Sequence, residues 1–453
     1  MPLRGVAFAA LLLCFLIPAS LQAASPKRPR DPGPQTAGSC IRRGNTLTTA
    51  GKYEEAIVAY SEALKLSPLE PAAYFFRGTA YAILRKYEQA MADFDRVISL
   101  APDVYMAYIN RGHIFACQAD YDRALAEYQK AIELDTVVPD AYFHSGEAYY
   151  AKGKLDLALT QYSKAIDLDP EFSQAFCRRG VVYFDKGDYE KALADSGRAV
   201  GIDPKFATAY YERGMAHDRL GHYNEAIADY SKALELDPVW EYSYYCRGVA
   251  YAKSGAYAPA LTDYNRALKL NPNLAEAYYN LGVALTFLQR YKDAVAEYTK
   301  AAQLKPKAAE IFYNRGFAQA RTGRYQEAIR DYGLALSIMP DIKKIDSDRS
   351  GFEMACGEAL NANLTFGEAL LSRGCHFASK YRYGDAIDDF NAALDLIPQD
   401  PRVFWAKGQA CDKTGRAGEA VDAYQAYVKY AAPAEEAAQM KIAQERIQAL
   451  SGQ

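Results

Sequence analysis

Apolar residues recur along this chain at the spacing of one face of an α-helix. In one stretch they stand at Ala226, Ile227, Tyr230, Ala233 and Leu234, with polar residues among them. This spacing predicts amphipathic helices rather than strands. The pattern returns at a constant interval along most of the chain. A period between about 20 and 50 residues predicts an array of small helical units, each of which needs its neighbours to bury its apolar face.

A glycine marks the same place in each unit. Nine glycines follow one another at equal intervals: Gly44, Gly78, Gly112, Gly146, Gly180, Gly214, Gly248, Gly282 and Gly316. After an interruption the pattern resumes at Gly374 and Gly408, which have the same separation. A small residue, an aromatic residue and a closing proline follow at fixed offsets, as Ala260, Tyr264 and Pro272 do after Gly248.

This combination of glycine, alanine, aromatic residue and proline in a unit of about 34 residues resembles the tetratricopeptide repeat. The resemblance covers about eleven units between residues 37 and 431. It implies an all-α fold, a right-handed superhelical solenoid of helix-turn-helix repeats. It also implies that the first helix of each repeat faces an inner, concave groove that binds another protein or a peptide.

The N-terminus is typical of an export signal. Residues 1–23 have a basic start, an apolar run from Val6 to Ile17 and a small-residue exit, as secretory signal peptides do. An uncleaved membrane anchor is the alternative, although a membrane span needs about 20 apolar residues. Residues 24–36 are rich in Pro, Lys and Arg and are predicted to be a disordered spacer. The protein is therefore expected to be secreted or periplasmic, with no membrane span in the mature chain.

The repeats are interrupted once and are followed by a terminal helix. We predict repeats one to nine over residues 37–340, an insertion at 341–366, repeats ten and eleven over 367–431 and a capping helix at 432–453. The insertion is expected to break the array and to be a solvated linker or a single extra helix. Its start at Asp346 is similar to a calcium loop but lacks the glutamate at the twelfth position. The capping helix is predicted from an apolar stripe at Met440, Ala443, Ile447 and Leu450.

Composition and motifs argue against several classes of function. The formal net charge is −3, and no basic block is large enough to predict nucleic-acid binding. No catalytic or nucleotide-binding motif occurs, so no catalytic residue, cofactor or metal site is expected.

The histidines are scattered, although His113 and His144 are expected to approach each other. The cysteines are expected to be small buried side chains, with a disulfide between Cys356 and Cys375 as the alternative.

Charged residues repeat in register as well. Seven repeats carry an arginine just before the glycine and an acid fifteen residues after it. The pairs are Arg77 and Asp93, Arg111 and Glu127, Arg179 and Asp195, Arg213 and Asp229, Arg247 and Asp263, Arg315 and Asp331, and Arg373 and Asp389. We interpret them as salt bridges within or between repeats, since a guanidinium–carboxylate fork suits a fixed geometry. A charged groove for a ligand is the alternative.

The candidate binding surface lies where the repeats differ. Three residues before the glycine, repeats six to nine carry tyrosine, and an apolar residue follows four positions later on the same helix face. The predicted binding residues are the ladder Tyr211, Met215, Tyr245, Val249, Tyr279, Val283, Tyr313 and Phe317, with Arg219, Lys253 and Arg321 beside it. Tyrosine offers a large contact area and a hydroxyl to fix a ligand's register. Alternatively, the tyrosines fill gaps between neighbouring first helices.

The sequence therefore predicts a non-catalytic interaction scaffold for a protein or peptide segment. An envelope-assembly or glycan-binding factor and an accessory recognition subunit of an enzyme complex are the alternatives, and the exposed ends of the array allow self-association. Family members that bind chaperone C-termini carry Lys and Asn at the ladder positions, where only Asn45 fits.

Repeat five lacks its aromatic residue, with Ser196 followed by Gly197, and is expected to flex.

Overall fold

The computed structural model describes residues 36–338 and 362–451. The predicted signal peptide and nearly all of the spacer lie outside these residues. We number the helices in chain order. Their bounds are α1 Ala37–Thr49, α2 Tyr53–Leu66, α3 Pro71–Ile83, α4 Tyr87–Leu100, α5 Tyr105–Cys117, α6 Tyr121–Leu134, α7 Pro139–Ala151, α8 Leu155–Leu168, α9 Ser173–Asp185, α10 Tyr189–Ile202, α11 Ala207–Arg219, α12 Tyr223–Leu236, α13 Glu241–Lys253, α14 Tyr257–Leu270, α15 Ala275–Phe287, α16 Tyr291–Leu304, α17 Ala309–Arg321, α18 Tyr325–Ile338, α19 Ala362–Ser379, α20 Tyr383–Leu396, α21 Pro401–Lys413, α22 Ala417–Tyr430 and α23 Pro433–Ser451.

The predicted all-α solenoid class is confirmed, because the described residues form consecutive helix-turn-helix repeats. Each odd-numbered helix from α1 to α21 is the first helix of a repeat, and the next even-numbered helix is its second. The contacts divide the chain into two compact units, which meet in the sequence between Ala216 and His217, inside α11. Within each unit, the two helices of a repeat pack on each other and on the neighbouring repeats.

The recurrent glycine lets the two helices of a repeat approach closely. A Cβ atom added to Gly248 would lie 2.7 Å from Cε1 of Tyr264, and one added to Gly282 would lie 2.6 Å from Cε1 of Tyr298. Carbon atoms in van der Waals contact lie about 3.5–4.0 Å apart. Only glycine therefore fits without displacing the ring, and both rings are almost fully buried in the space that glycine leaves.

The predicted arginine–acid pairing is confirmed in each of the six pairs that lie within one unit. In repeat two, Nε and Nη2 of Arg77 donate to the two carboxylate oxygens of Asp93 at 2.8 and 2.7 Å. Its Nη1 donates to Oγ of Ser61, on the second helix of the preceding repeat, at 3.1 Å. The arginine thus joins the two helices of its own repeat and the repeat before it, which favours the structural interpretation.

Repeat five replaces the packed aromatic ring with a small polar side chain. Ser196 is buried, and its hydroxyl donates to the backbone oxygen of Ala192 at 2.7 Å. A Cβ atom on Gly180 would meet that same backbone oxygen at 3.2 Å, but no aromatic ring. The contact between α9 and α10 therefore lacks the apolar surface that the other repeats gain from the ring. The flexing of this repeat stays a prediction.

The insertion interrupts the sequence pattern but does not interrupt the stacking. α18 packs against α19, and Ile329 of repeat nine contacts the core cluster that contains Leu370 and Phe390. The sequence led us to expect a broken array at this point, because the periodicity alone does not show that the chain returns to the same stack. The calcium-like loop at Asp346 and the suggested disulfide partner Cys356 lie outside the described residues.

The stripe predicted for the terminal helix is confirmed. Ala443 is fully buried, and Met440, Ile447 and Leu450 pack on the core cluster of repeats ten and eleven. Arg446 donates two hydrogen bonds, at 2.8 and 2.6 Å, to the carboxylate of Asp412 on α21. α23 therefore covers the apolar end of repeat eleven and is held there by an arginine fork.

A polar cluster occupies the first-helix contacts of repeats three to five. The rings of His113 and His144 lie 4.0 Å apart between centroids, as their positions in the sequence predict. On the same helix as His144, the buried carboxylate of Glu147 accepts hydrogen bonds from Tyr162 Oη and, at 2.6 Å, from Arg178 Nε. Burial lowers the pKa of His144 to about 4, against a smaller upward effect of Glu147. Burial also holds the pKa of His113 well below its usual value.

The glycine contact predicts opposite effects of the same substitution at two sites. Gly248→Ala should lower the free energy of unfolding by about 1–3 kcal/mol, because the added methyl group forces the helices apart. Gly197→Ala should raise it by up to about 1 kcal/mol, since alanine favours a helix interior. A Cβ atom at Gly197 meets nothing nearer than Cδ of Arg213, at 3.9 Å. Urea denaturation followed by circular dichroism measures both, and equal effects would contradict the close-contact account.

The histidine pair predicts that acid destabilises repeats three and four. A histidine whose folded pKa is lowered stabilises the fold above its unfolded pKa, and this contribution falls as the pH drops from about 6.5 toward about 4. At pH 5 the loss should reach about 1–2 kcal/mol. His144→Phe should flatten the dependence of stability on pH, whereas the exposed His222→Gln should preserve it. An unchanged pH profile in His144→Phe would show that the pair does not titrate in this range.

Candidate functional site

The predicted binding residues lie on the first helices of repeats six to nine, as expected. Tyr211 and Met215 belong to the first unit, where Met215 packs beside Phe184 and Ala216. The remaining nine belong to the second unit, on α13, α15, α17 and the end of α11. Most of the candidate site therefore lies within the second unit.

Two tyrosines of the ladder join neighbouring first helices. The half-buried rings of Tyr245 and Tyr279 lie against Tyr264 and Tyr298 of their own repeats, at centroid distances of 6.2 and 6.0 Å. Asn280 donates to the hydroxyl of Tyr245 at 3.0 Å. One repeat later, Asn314 donates to the hydroxyl of Tyr279 at 2.8 Å. These hydroxyls thus bind the next repeat of this chain, and their predicted use to fix a ligand's register stays a prediction.

Two further members of the ladder contribute little accessible surface. Only 1% of Val283 and 2% of Tyr313 is exposed, and the Tyr313 ring lies 5.4 Å from that of Tyr332 between centroids. Val249 and Phe317 are half-buried. The double ladder predicted from helical spacing is therefore not continuous, because Val283 and Tyr313 are buried, and Tyr313 packs on the second helix of its own repeat.

The predicted cations have different surroundings. The side chain of Lys253 is 4% exposed, and its Nζ lies 2.7 Å from Oδ2 of Asp218 and above the ring of Tyr223. A lysine buried in an ion pair inside the protein is a poor candidate for a ligand-binding cation. Arg219 is exposed on the surface at the end of α11.

Arg321 is exposed and differs from Lys253 in its partners. Its guanidinium carbon lies 5.6 Å from the ring centroid of Tyr291 and 5.7 Å from that of Phe317. Among the residues that the structure describes, no carboxylate forms an ion pair with it. A cation held on aromatic rings without a carboxylate partner can bind an anionic group.

An aromatic stack with one exposed ring lies in the same register and is absent from the residues predicted from the sequence. Phe287 stacks on Tyr257 of the preceding repeat, with centroids 4.6 Å apart and an interplanar angle of 6°. Phe287 and the adjacent Leu288 are each 39% exposed. Lys253, Phe287 and Arg321 all stand five residues after the repeat glycine. Comparing the repeats at that position, and at the tyrosine nine residues after the glycine, would have found the pair.

Within the second unit, the side chain five residues after the repeat glycine therefore differs from repeat to repeat. Lys253 is buried in an ion pair, Phe287 exposes an apolar ring and Arg321 exposes a cation. We call the surface of Phe287, Leu288, Phe317 and Arg321 the aromatic–arginine surface.

Within residues 36–338 and 362–451, no three or more His, Cys, Asp or Glu side chains are grouped to hold a metal ion. None of the described helices is long and apolar enough to span a bilayer.

Several solved structures are similar to parts of the chain. YrrB, a TPR protein with an unusual peptide-binding site, is 28% identical; the match covers 41% of this chain and 95% of YrrB, with a TM-score of 0.36. The C-terminal part of a TPR repeat-containing protein from Cytophaga hutchinsonii is 22% identical, with coverages of 53% and 99% and a TM-score of 0.41. Yeast Tom70 is 16% identical, with coverages of 92% and 95% and a TM-score of 0.35. No curated protein matches the chain significantly.

Family models of the repeat match along most of the chain. A TPR repeat model matches residues 112–153, 146–187, 180–221, 250–286 and 288–323. Tetratricopeptide repeat models match residues 41–105, 207–238, 309–342 and 371–436. Repeats of this kind are protein-interaction scaffolds that bind protein or peptide partners. The chain therefore belongs to the tetratricopeptide-repeat family.

Proposed function

We propose that this protein is a non-catalytic scaffold that binds a segment of another protein on the aromatic–arginine surface of repeats eight and nine. The observation that carries the proposal is the stack of Phe287 on Tyr257, which holds an exposed aromatic ring in a fixed orientation. A preordered ring loses little conformational entropy when a partner covers it. Aromatic and arginine side chains are also the types that contribute most to protein interfaces.

The charges of the second unit indicate which groups of a partner would be favoured. Lys253 is neutralised by Asp218, and Lys305 forms an ion pair with Glu276. Arg321 has no such partner among the described residues. A partner segment that places an apolar side chain on Phe287 and a carboxylate at Arg321 would cover the exposed ring and neutralise the cation.

This proposal gives the ladder tyrosines a supporting role. Tyr245 and Tyr279 hold neighbouring first helices in register through Asn280 and Asn314, and so they fix the spacing of the surface. The partner contacts the side chains that the packing leaves at least partly exposed, which are those of the aromatic–arginine surface. The specificity of such a scaffold comes from those side chains and not from its fold.

We also propose that the protein acts outside the cytoplasm. The proposal rests on residues 1–23, whose basic start, apolar run and small-residue exit are typical of a secretory signal. Comparing the N-terminal sequence of the mature protein with that of the precursor would show whether this segment is removed.

Substitutions on the aromatic–arginine surface should weaken binding without unfolding the protein. Peptides selected on the mature protein from a phage-displayed library of random dodecapeptides provide the probe, and fluorescence anisotropy gives their affinity. Phe287→Ala and Arg321→Glu should weaken the binding of the same subset of these peptides about tenfold or more, because each removes a central contact.

Two matched variants control for general effects. Leu304→Ala removes an apolar side chain that is 40% exposed at the end of α16. Arg330→Glu makes the same charge change on α18, a second helix. Both should bind the peptides as the parent does. Equal losses in test and control variants, or binding on a glycan array that survives both test substitutions, would contradict the proposed surface.

A further inference from the structure

The C-terminal repeats enclose a second cleft, separate from the aromatic–arginine surface. It has a volume of about 790 Å³ and lies between first helices α19 and α21 and the terminal helix α23. Its lining includes Trp405 of α21 and Ile442 of α23. The family matches end at residue 436, so the wall that α23 contributes lies almost wholly outside the matched repeats.

The apolar part of this cleft is held in place by its surroundings. Trp405 is half-buried, and its ring centroid lies 5.8 Å from that of Tyr424 and 5.1 Å from that of Tyr427. Ile442 is 48% exposed, although α23 packs on the core through Ala443 and Ile447. A large apolar side chain left exposed beside a fixed tryptophan provides a site for an apolar group of a partner.

The charged groups of the cleft leave one cation uncompensated. Asp412 and Arg446 form a bidentate pair with each other, at 2.8 and 2.6 Å. Lys413, the next residue of α21, also lines the cleft, is exposed and has no carboxylate partner among the described residues. These three are the charged residues of the lining, so the cleft carries a net positive charge.

The position of this cation differs from that of the chaperone-binding clamp. Clamp residues stand three residues before and one residue after the repeat glycine, where repeat eleven has Trp405 and Gln409. Lys413 stands five residues after Gly408, next to the wall formed by α23. The cleft therefore combines an aromatic floor, an aliphatic wall and a cation at its rim.

We propose that α23 is a binding element as well as a cap. The cleft takes a segment of a partner protein that carries a large apolar side chain with an Asp or Glu nearby in sequence. The apolar group contacts Trp405 and Ile442, and the carboxylate pairs with Lys413. Charge complementarity selects the acidic residue, since like charges across an interface are disfavoured.

Tryptophan fluorescence tests the cleft directly in the whole mature chain. The protein has two tryptophans, and Trp240→Phe leaves Trp405 as the only one. The probe is a set of synthetic peptides chosen from the phage-displayed library of random dodecapeptides, with binding followed by the Trp405 emission. Peptides that change this emission should be enriched in an apolar residue within three positions of an acidic one.

Charge reversals then identify the cation. Lys413→Glu should weaken the binding of these peptides about tenfold or more. Lys441→Glu is the matched control, because Lys441 is an exposed lysine of α23 that does not line the cleft. It should leave the affinity within about twofold, since surface charges outside the contact are screened by salt.

Three outcomes would overturn the proposal. In the first, no selected peptide changes the Trp405 emission. If such peptides bind and lose affinity in Arg321→Glu, their binding supports only the surface of repeats eight and nine. In the second, the peptides that change the emission lack acidic residues. In the third, Lys413→Glu and Lys441→Glu weaken binding equally, which indicates general attraction rather than a site.

Discussion

The contact between a glycine of the first helix and an aromatic ring of the second sets how closely the two helices of a repeat can lie. At Gly282 the ring of Tyr298 occupies the space in which a side chain would stand. This closeness brings the arginine before the glycine to the acid on the second helix, and its remaining donor to the preceding repeat. In repeat two a single residue, Arg77, thus connects three helices. The first contact joins the two helices of a repeat, and the second joins neighbouring repeats, as the arginines of repeats two, five, seven and nine do.

Because the scaffold contacts recur, differences between repeats can be assigned to the surface. The position five residues after the glycine shows this well. It is a lysine in a buried ion pair in repeat seven, an exposed phenylalanine in repeat eight and, in repeat nine, an arginine that forms no ion pair with a carboxylate among the described residues. The same position in repeat eleven holds Lys413, at the rim of the terminal cleft. Neighbouring repeats with helices of the same lengths therefore offer different chemistry to a partner.

The sequence predicted the repeats, their helices and the arginine forks, because each depends on spacing within one repeat. It predicted the exposure of individual side chains less well. Val283 and Tyr313 lie on the expected helix face, yet both are buried, and helical periodicity does not determine which side chains of one face the packing buries. The hydrogen bond from Asn280 to Tyr245 joins residues 35 apart, so it becomes visible only once the register of the stack is known. The packing of α19 on α18 also depends on the register of the stack, and the sequence did not predict it.

The most direct test of this account is the stability of shortened arrays. Residues 241–270 form one repeat, and residues 241–338 form three. If stacking supplies the core, the single repeat should show little helix by circular dichroism, and the three-repeat chain should be helical with a cooperative urea transition. A single repeat as helical and as resistant to urea as the three-repeat chain would contradict the account, because each hairpin would then be stable without its neighbours.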